Sequence, residues 1–276
     1  MRLATLRTHT GTRAARVEND TAVLLPHADL NELLGEPDWT TSAGGNGPRL
    51  PLTDCRFAPV VPRPNKIVCL GLNYRSHILE MGRDVPRYPT LFAKFDGALI
   101  GAYDPIELPA VSDQVDWEAE LGVVIGRPAR RVGEAEALSY VAGYTIVNDV
   151  TVRDWQHRTR EFLSGKTFEA TTPVGPVLVT RDEFPDGLPD LALECTVDGE
   201  VTQRARTGDM VFDVAQIVAY VSEIITLLPG DLIATGTPGG VGAGRKPPVF
   251  LRPDQILGTS VEGLGAQRNR CVTASS

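Results

Sequence analysis

Apolar and polar residues alternate along this chain in short runs far more often than they recur at helical spacing. Residues 2 to 7 and 13 to 25 alternate enough to predict a strand pair, with "END" (Glu18 to Asp20) as its turn. Asp29 is placed to cap a short helix through Leu34 that Gly35 ends. The Gly-, Pro-, Ser- and Thr-rich "EPDWTTSAGGNGPRLP" and the proline-spaced "APVVPRPNK" then read as a linker. Residues 1–60 are therefore expected to form a small, separable N-terminal domain with its linker, and residues 61–276 the main domain. In the main domain "KIVCLGLNY" (66–74), "WEAELGVVIG", "AGYTIVNDV", "GPVLVT", "ALECTVDGEV" and "DLIATGT" read as buried strands. One helix is clear: Val214, Ile217, Val218, Val221, Ile224, Ile225 and Leu228 recur at helical spacing. Asp213 and Gln216 form a capping box at its start and Pro229-Gly230 stops it. A shorter helix is expected from Gly133 to Val141. Strands outnumber helices and lack regular helical crossovers. This predicts an α+β, predominantly β fold with a mixed, largely antiparallel sheet, and argues against a doubly wound one.

Composition narrows the function. The 276 residues are 42% hydrophobic and 22% charged, ordinary globular values, with 35 acidic residues against 27 basic and a net charge of −8. Without a dense Lys/Arg run, a nucleic-acid or anionic-membrane surface is not expected. The four cysteines form no CxxC pair, and with four histidines they leave little material for a Cys/His zinc site. Neither a signal-peptide run nor a stretch of about 18 apolar residues occurs. The expectation is a soluble protein in a reduced, cytoplasmic setting.

Against that background "VDWEAELGVVIG" (115–126) stands out, because it sets Glu118 and Glu120 two positions apart in an apolar run. In a strand both carboxylates project to one side while Ala119 and Leu121 project to the other. Crowded, partly desolvated carboxylates call for a cation, a shared proton or a basic partner, although an exposed acidic strand face has the same pattern. Asp149 ends the apolar strand of "YTIVNDVTVRDWQ" and could add a third carboxylate; a turn-forming aspartate is the plainer reading. Oxygen donors without Cys or His select Mg²⁺ or Mn²⁺, or Ca²⁺, over zinc. Arg153 and Gln156 follow at four and seven residues, one side of a helical turn. In "GLNYRSHILEMG" His77 and Glu80 are helical neighbours, a dyad able to activate water, or simply a solvated helix face. Gly71 and Gly82 bracket this segment as a closing loop would be bracketed. The glycine-rich "ATGTPGGVG" (234–242) is not a P-loop, but its backbone N–H groups could meet a carboxylate.

Taken in order, "GLNYRSHILEMG", "PTLFAKFDGALIG", "VDWEAELGVVIG", "AGYTIVNDVTVRDWQ", "GKTFEATTPVGP" and "GDLIATGTPGGVG" closely resemble the fumarylacetoacetate hydrolase family over residues 64–272. The resemblance implies a mixed β-roll fold, a homodimer, and Mg²⁺ or Mn²⁺ held by Glu118, Glu120 and Asp149. The region before the roll looks like that of the family's longer bacterial members. By the same resemblance His77 and Glu80 match the catalytic pair on a mobile lid, and Lys166 the active-site lysine. Arg153, Gln156 and Thr237 match the groups that hold the substrate's acid end, and Tyr74 and Lys94 fall in matching segments. One departure is Arg75-Ser76, where many relatives carry small or acidic residues, in a lid that helps determine substrate.

The implied chemistry is metal-stabilised enolate formation from a 2-oxo or diketo acid. His77, oriented by Glu80, would activate water for attack on the distal carbonyl, and Lys166 would stabilise the oxyanion. The first expectation is thus a hydrolase of C–C bonds in acylpyruvate-like acids. An oxaloacetate-type decarboxylase, or a tautomerase or isomerase, would use the same device without the attacking water. A non-catalytic small-acid binding protein is the reading from another class; a binding module has no use for the base.

Overall fold

The strand pair expected at the N-terminus forms in a computed structural model of the chain, which describes residues 1–80, 82, 84–185, 187 and 190–274. Met81 of the expected lid, and the end of the expected main domain at residues 275 and 276, lie outside the described residues. Strand β1 (Arg2–Thr8) pairs antiparallel with β2 (Gly11–Glu18), and the chain reverses at Asn19 (φ 52°) into β3 (Thr21–Leu24). The turn is where "END" placed it, so the expected strand over 13–25 is two strands. Helix α1 (Leu30–Leu34) starts as predicted, with the Asp29 carboxylate accepting the Glu32 N–H at 2.9 Å. The expected linker is partly ordered as α2 (Trp39–Ala43), β4 (Arg49–Pro51) and β5 (Arg56–Phe57).

The rest of the chain begins with β6 (Ile67–Gly71), α3 (Arg75–Glu80) and β7 (Thr90–Lys94). Short strands β8 (Leu99–Ile100), β9 (Ile106–Leu108) and β10 (Val115–Asp116) lead to β11 (Ala119–Ile125). Helix α4 (Glu134–Ala137), β12 (Val141–Asn148), β13 (Thr151–Val152), α5 (Arg153–Gln156) and α6 (Leu163–Lys166) follow. After β14 (Thr172–Pro173) and β15 (Leu178–Thr180), the predicted single strand "ALECTVDGEV" is a hairpin of β16 (Ala192–Val197) and β17 (Glu200–Arg206). Asp198 and Gly199, both at positive φ, make its turn. Helix α7 (Val214–Ile224) has its predicted capping box at Asp213 and Gln216. It ends before Pro229, because Leu227 exchanges two backbone hydrogen bonds of 2.9 Å with Ala129 and draws the chain into extended conformation. Strands β18 (Leu232–Ala234), β19 (Ile256–Val261) and β20 (Gly265–Thr273) complete the fold.

Among the described residues these strands form an 11-stranded sheet, β4-β3-β2-β1-β15-β12-β11-β18-β6-β7 with β5 beside β1, a 5-stranded sheet, β17-β16-β19-β20-β9, and two 2-stranded sheets, β10-β13 and β14-β8. Most pairings are antiparallel; β18 with β6 is parallel. The architecture is mixed and mostly sheet, as expected. Strand β11 is buried over its whole length because both its faces are covered. Ala119, Leu121, Val123 and Ile125 join a core with Leu193, Leu257 and the apolar face of α7. Val124 joins a second core with Ala142, Leu232 and the N-terminal Leu3, Leu30, Leu33 and Leu34.

That second core bears on the expectation of a separable N-terminal domain. Strand β1 is hydrogen-bonded to β15 through Arg2↔Val179 and Leu3↔Leu178, so the first strands continue the central sheet. Fully buried leucines contribute about 1.5–3 kcal/mol each. Deletion of residues 1–60 is therefore expected to give insoluble or unfolded protein. A soluble truncation with a cooperative denaturant transition would contradict this.

Candidate active site

Strands β11 and β12 run antiparallel with Ala119 opposite Asn148, which brings Glu118 and Glu120 beside Asp149 at the strand end. The backbone around them is pinned: the Asp149 N–H donates to the Glu118 carbonyl (2.8 Å) and the Glu118 N–H to Asn148 Oδ1 (3.0 Å). Ala119 N–H donates to Gln203 Oε1 (2.9 Å). Each of Glu118, Glu120 and Asp149 offers a carboxylate oxygen within 4.8 Å of the others, and all three residues are buried.

Three buried cations face this cluster. Lys166 donates from Nζ to Glu118 Oε2 and Asp149 Oδ2, both at 2.7 Å, and lies 4.9 Å from the centre of the Phe92 ring. It reaches them because α6 packs close on α5: a Cβ on Gly165 would come within 2.4 Å of the Gln156 nitrogen. Arg153 spans two acids, Nε to Asp116 Oδ2 and Nη1 to Glu118 Oε1, each 2.7 Å, and Nη1 also donates to Gln156 Oε1 (2.9 Å). Its Nη2 is buried without a hydrogen-bond partner among the described residues. Lys94 donates to Asp149 Oδ1 at 2.6 Å and to the Val150 carbonyl at 3.2 Å.

The consequences for protonation follow from these contacts. Burial pushes the Glu118 carboxyl up, but Lys166 and Arg153 outweigh it and hold its pKa at about 2. Burial lowers and the carboxylates raise the Lys166 ammonium, with the net shift upward, so the side chain stays cationic. Glu120 differs. Burial, then the charges of Asp149 and Glu118, push its pKa well above the ordinary carboxylate range. Its hydrogen bond comes from the Gly236 N–H (2.7 Å), and it has no ion pair among the described residues. Asp116, Glu118, Glu120 and Asp149 thus face three cations, and Glu120 is the unmatched acid. An all-oxygen donor set with one surplus buried carboxylate fits a hard divalent cation held by Glu118, Glu120 and Asp149.

Above the cluster a cavity of about 110 Å³ is walled by Leu70, Leu72, Phe92 and Phe162 on the apolar side and by His77, Arg153, Gln156, Lys166 and Thr237 on the polar side. Thr237 Oγ1 donates to the Ala119 carbonyl (3.0 Å) and accepts from Gln203 Nε2 (2.8 Å). His77 and Glu80 share α3, with Nδ1 and Oε2 3.5 Å apart, and the Gly240 N–H donates to Glu80 Oε2 at 3.1 Å. The His77 pKa lies below its ordinary value because burial outweighs the Glu118 and Glu80 charges. Two expected substrate contacts are placed elsewhere. Tyr74 is wholly buried in the core near Met210, since the chain turns it inward on leaving β6, and Lys94 lies behind the cluster with its charge spent on Asp149. Nor do Arg75 and Ser76 face the cavity: Arg75 Nη1 donates to the Met210 carbonyl (2.8 Å) and Ser76 Oγ to Asp209 (2.6 Å), anchoring α3 from outside. Asn148, Asp116 and Gln203 carry no sequence signal, the first two as polar residues beside apolar positions and Gln203 within the polar run "EVTQRAR".

A sheet-rich α+β fold that buries three convergent carboxylates beside a lysine, under a His–Glu pair, defines an enzyme of small acids. Residues 66–272 match the family model described as fumarylacetoacetate (FAA) hydrolase C-terminal, and the chain belongs to that family. It is 44% identical over 227 residues to the mitochondrial oxaloacetate tautomerase FAHD2A of Homo sapiens, covering 82% of this chain and 72% of that protein. Among solved structures, the fumarylacetoacetate hydrolase of psychrophilic Exiguobacterium antarcticum superposes with a TM-score of 0.88 at 35% identity, over 99% of this chain and 100% of that one. The 5-carboxymethyl-2-hydroxymuconate delta-isomerase of Mycobacterium smegmatis gives 0.83 at 34% identity over the same shares. No helix among the described residues is long and apolar enough to cross a membrane.

Metal uptake is expected to expel a proton, because burial and the neighbouring carboxylates favour the neutral acid at Glu120, and a carboxyl must ionise to ligate. Titration calorimetry with Mn²⁺ in two buffers of different ionisation heat should show release, and an affinity that rises with pH; buffer-independent heat would contradict the assignment. Glu120→Gln is expected to leave the metal-free protein at least as stable and to abolish Mn²⁺ uptake. Tight uptake by that variant would remove Glu120 from the donor set.

Proposed function

We propose that the chain is a divalent-metal-dependent tautomerase of short 2-oxo acids of the oxaloacetate type, interconverting their enol and keto forms. The observation that carries this reading is a buried neutral base, His77, and a buried cationic acid, Lys166, on the wall of one small cavity. A tautomerisation needs those two groups and no water. The relatives named as an oxaloacetate tautomerase and as an isomerase support it over the C–C hydrolase first expected from the sequence.

A cation held by Glu118, Glu120 and Asp149 would supply Lewis acidity toward the 2-oxo oxygen. Arg153, through its unpartnered Nη2, with Gln156 and Thr237, would hold the substrate carboxylate. His77 Nδ1 faces Glu80, which leaves Nε2 to take the proton from C3. Lys166 Nζ donates a hydrogen bond to the developing enolate oxygen and then gives it a proton, which completes the enol; His77 releases its proton to solvent and Lys166 regains one, closing the cycle. In the reverse direction the His77 proton returns to C3. Phe92, Phe162, Leu70 and Leu72 keep water from the reacting carbons. Hydrolysis stands second, on the His77–Glu80 pair, which could instead activate a water. A homodimer belongs to the same reading and is tested by size-exclusion chromatography.

His77→Ala is expected to lower kcat for oxaloacetate enol–keto exchange by about 10²–10⁴-fold while keeping Mn²⁺ uptake. Because the His77 pKa is lowered, its base form persists below pH 6.5, so kcat/KM should hold as pH falls through that value and drop only below it. Product analysis with enol-oxaloacetate and an acylpyruvate decides the class. Cleavage of the acylpyruvate without tautomerase activity would restore the hydrolase, and turnover of neither would favour a binding protein.

A further inference from the structure

We propose that Asp116 is a positioning residue that acts through Arg153, clamping the guanidinium to the glycine-rich loop so that the substrate's acid end meets a preset donor. This rests on the carboxylate-binding role given to Arg153 in the proposed function. Asp116 is wholly buried and both its oxygens are fully engaged. Oδ1 accepts from the N–H groups of Trp117 (2.8 Å) and Gly242 (2.7 Å). Oδ2 accepts from the Ala243 N–H (3.0 Å) and from Arg153 Nε (2.7 Å). The residue does not line the cavity and lies outside the group of converging carboxylates, so it is neither a substrate contact nor a metal ligand.

Two rigid bodies meet on this one carboxylate. A guanidinium is planar, so fixing Nε on Asp116 and Nη1 on Glu118 and Gln156 also fixes where the unpartnered Nη2 points. On the other side the loop can approach only because residue 242 is glycine: a Cβ there would lie 2.8 Å from Asp116 Oδ1 and 1.9 Å from the Val249 carbonyl oxygen. Val241 and Ala243, on either side of it, wall the cavity, and Gly240 holds Glu80 of the dyad. Asp116 therefore ties the acid-end donor, the cavity wall and the support of the base into one frame.

The test is oxalate binding to Mn²⁺-loaded protein by calorimetry, using Asp116→Asn. The amide can keep the Trp117 and Gly242 bonds at its oxygen but turns an NH₂ toward Arg153 and Ala243. The expected result is oxalate affinity lower by between about tenfold and a hundredfold with Mn²⁺ affinity unchanged, and an equal rise in KM for oxaloacetate with kcat largely kept. In an Arg153→Met background Asp116→Asn should add nothing. Unchanged oxalate affinity, a loss carried by kcat alone, or additive losses in the double variant would overturn the proposal. Should Asp116→Asn prove insoluble, Arg153→Lys opens the same clamp, because lysine cannot span Asp116 and Glu118; it should lose oxalate affinity by a similar factor, and retention would overturn the claim. Wild-type protein that takes up metal but no oxalate sinks the substrate reading itself, and the Asp116 claim with it.

Discussion

The site is organised by the repulsion of like charges removed from water. Three carboxylates whose oxygens lie within 4.8 Å cannot all ionise in a buried place without compensation. Lys166 and Arg153 neutralise Glu118, and Lys166 and Lys94 share Asp149, which leaves Glu120 as the acid that needs either a proton or a metal. Breaking any one pair would strand its partner in a desolvated position. The cluster therefore behaves as a unit, and its surplus charge suits that unit to a cation.

Such a cluster needs a scaffold that does not yield. Strand β11 supplies it by being buried on both faces, so that its alternate residues anchor in two separate cores while Glu118, just before its start, and Glu120, within it, converge. Because the N-terminal leucines fill one of those cores, a segment far from the chemistry in sequence holds the strand that carries it. The Asp149 N–H on the Glu118 carbonyl and the Glu118 N–H on Asn148 Oδ1 then fix the two strands at the level of the carboxylates. Rigid ligands on a doubly packed strand are what preorganised electrostatics require.

Side-chain alternation along one strand was readable without coordinates, and it placed Glu118 and Glu120 together with Ala119 and Leu121 on the core side. The capping box of α7 was readable for the same reason, since it is local. What sequence could not carry was the partner of each charge. Lys94 sits 55 residues from Asp149 in the chain and was assigned to the substrate, whereas the fold spends it on the cluster. The resemblance puts Tyr74 in a matching segment and Arg75 in a lid that helps determine substrate, yet Tyr74 is buried near Met210, and Arg75 and Ser76 bond to Met210 and Asp209 while His77 lines the cavity. The end of α7 was likewise misjudged, because a bridge to Ala129 is a tertiary effect invisible to periodicity. The supposed linker carried the right Gly and Pro punctuation and still packed onto the sheet.

The same frame explains how one site can serve several reactions of 2-oxo acids. Donors that grip the acid end are built from long-range pairs and leave little room for change. The choice between moving a proton and adding water falls instead to the far wall, where His77 stands on a short helix fastened from outside by Arg75 and Ser76 and from inside by Glu80 on Gly240. With Phe92, Phe162, Leu70 and Leu72 lining the same cavity, the proposed base would meet a reacting carbon more readily than a solvated water. Departures from family pattern at Arg75 and Ser76 therefore act on how α3 is held, not on what the substrate touches. On the proposed reading, a change in the outside fastening would alter the base's reach while leaving the acid-end donors in place.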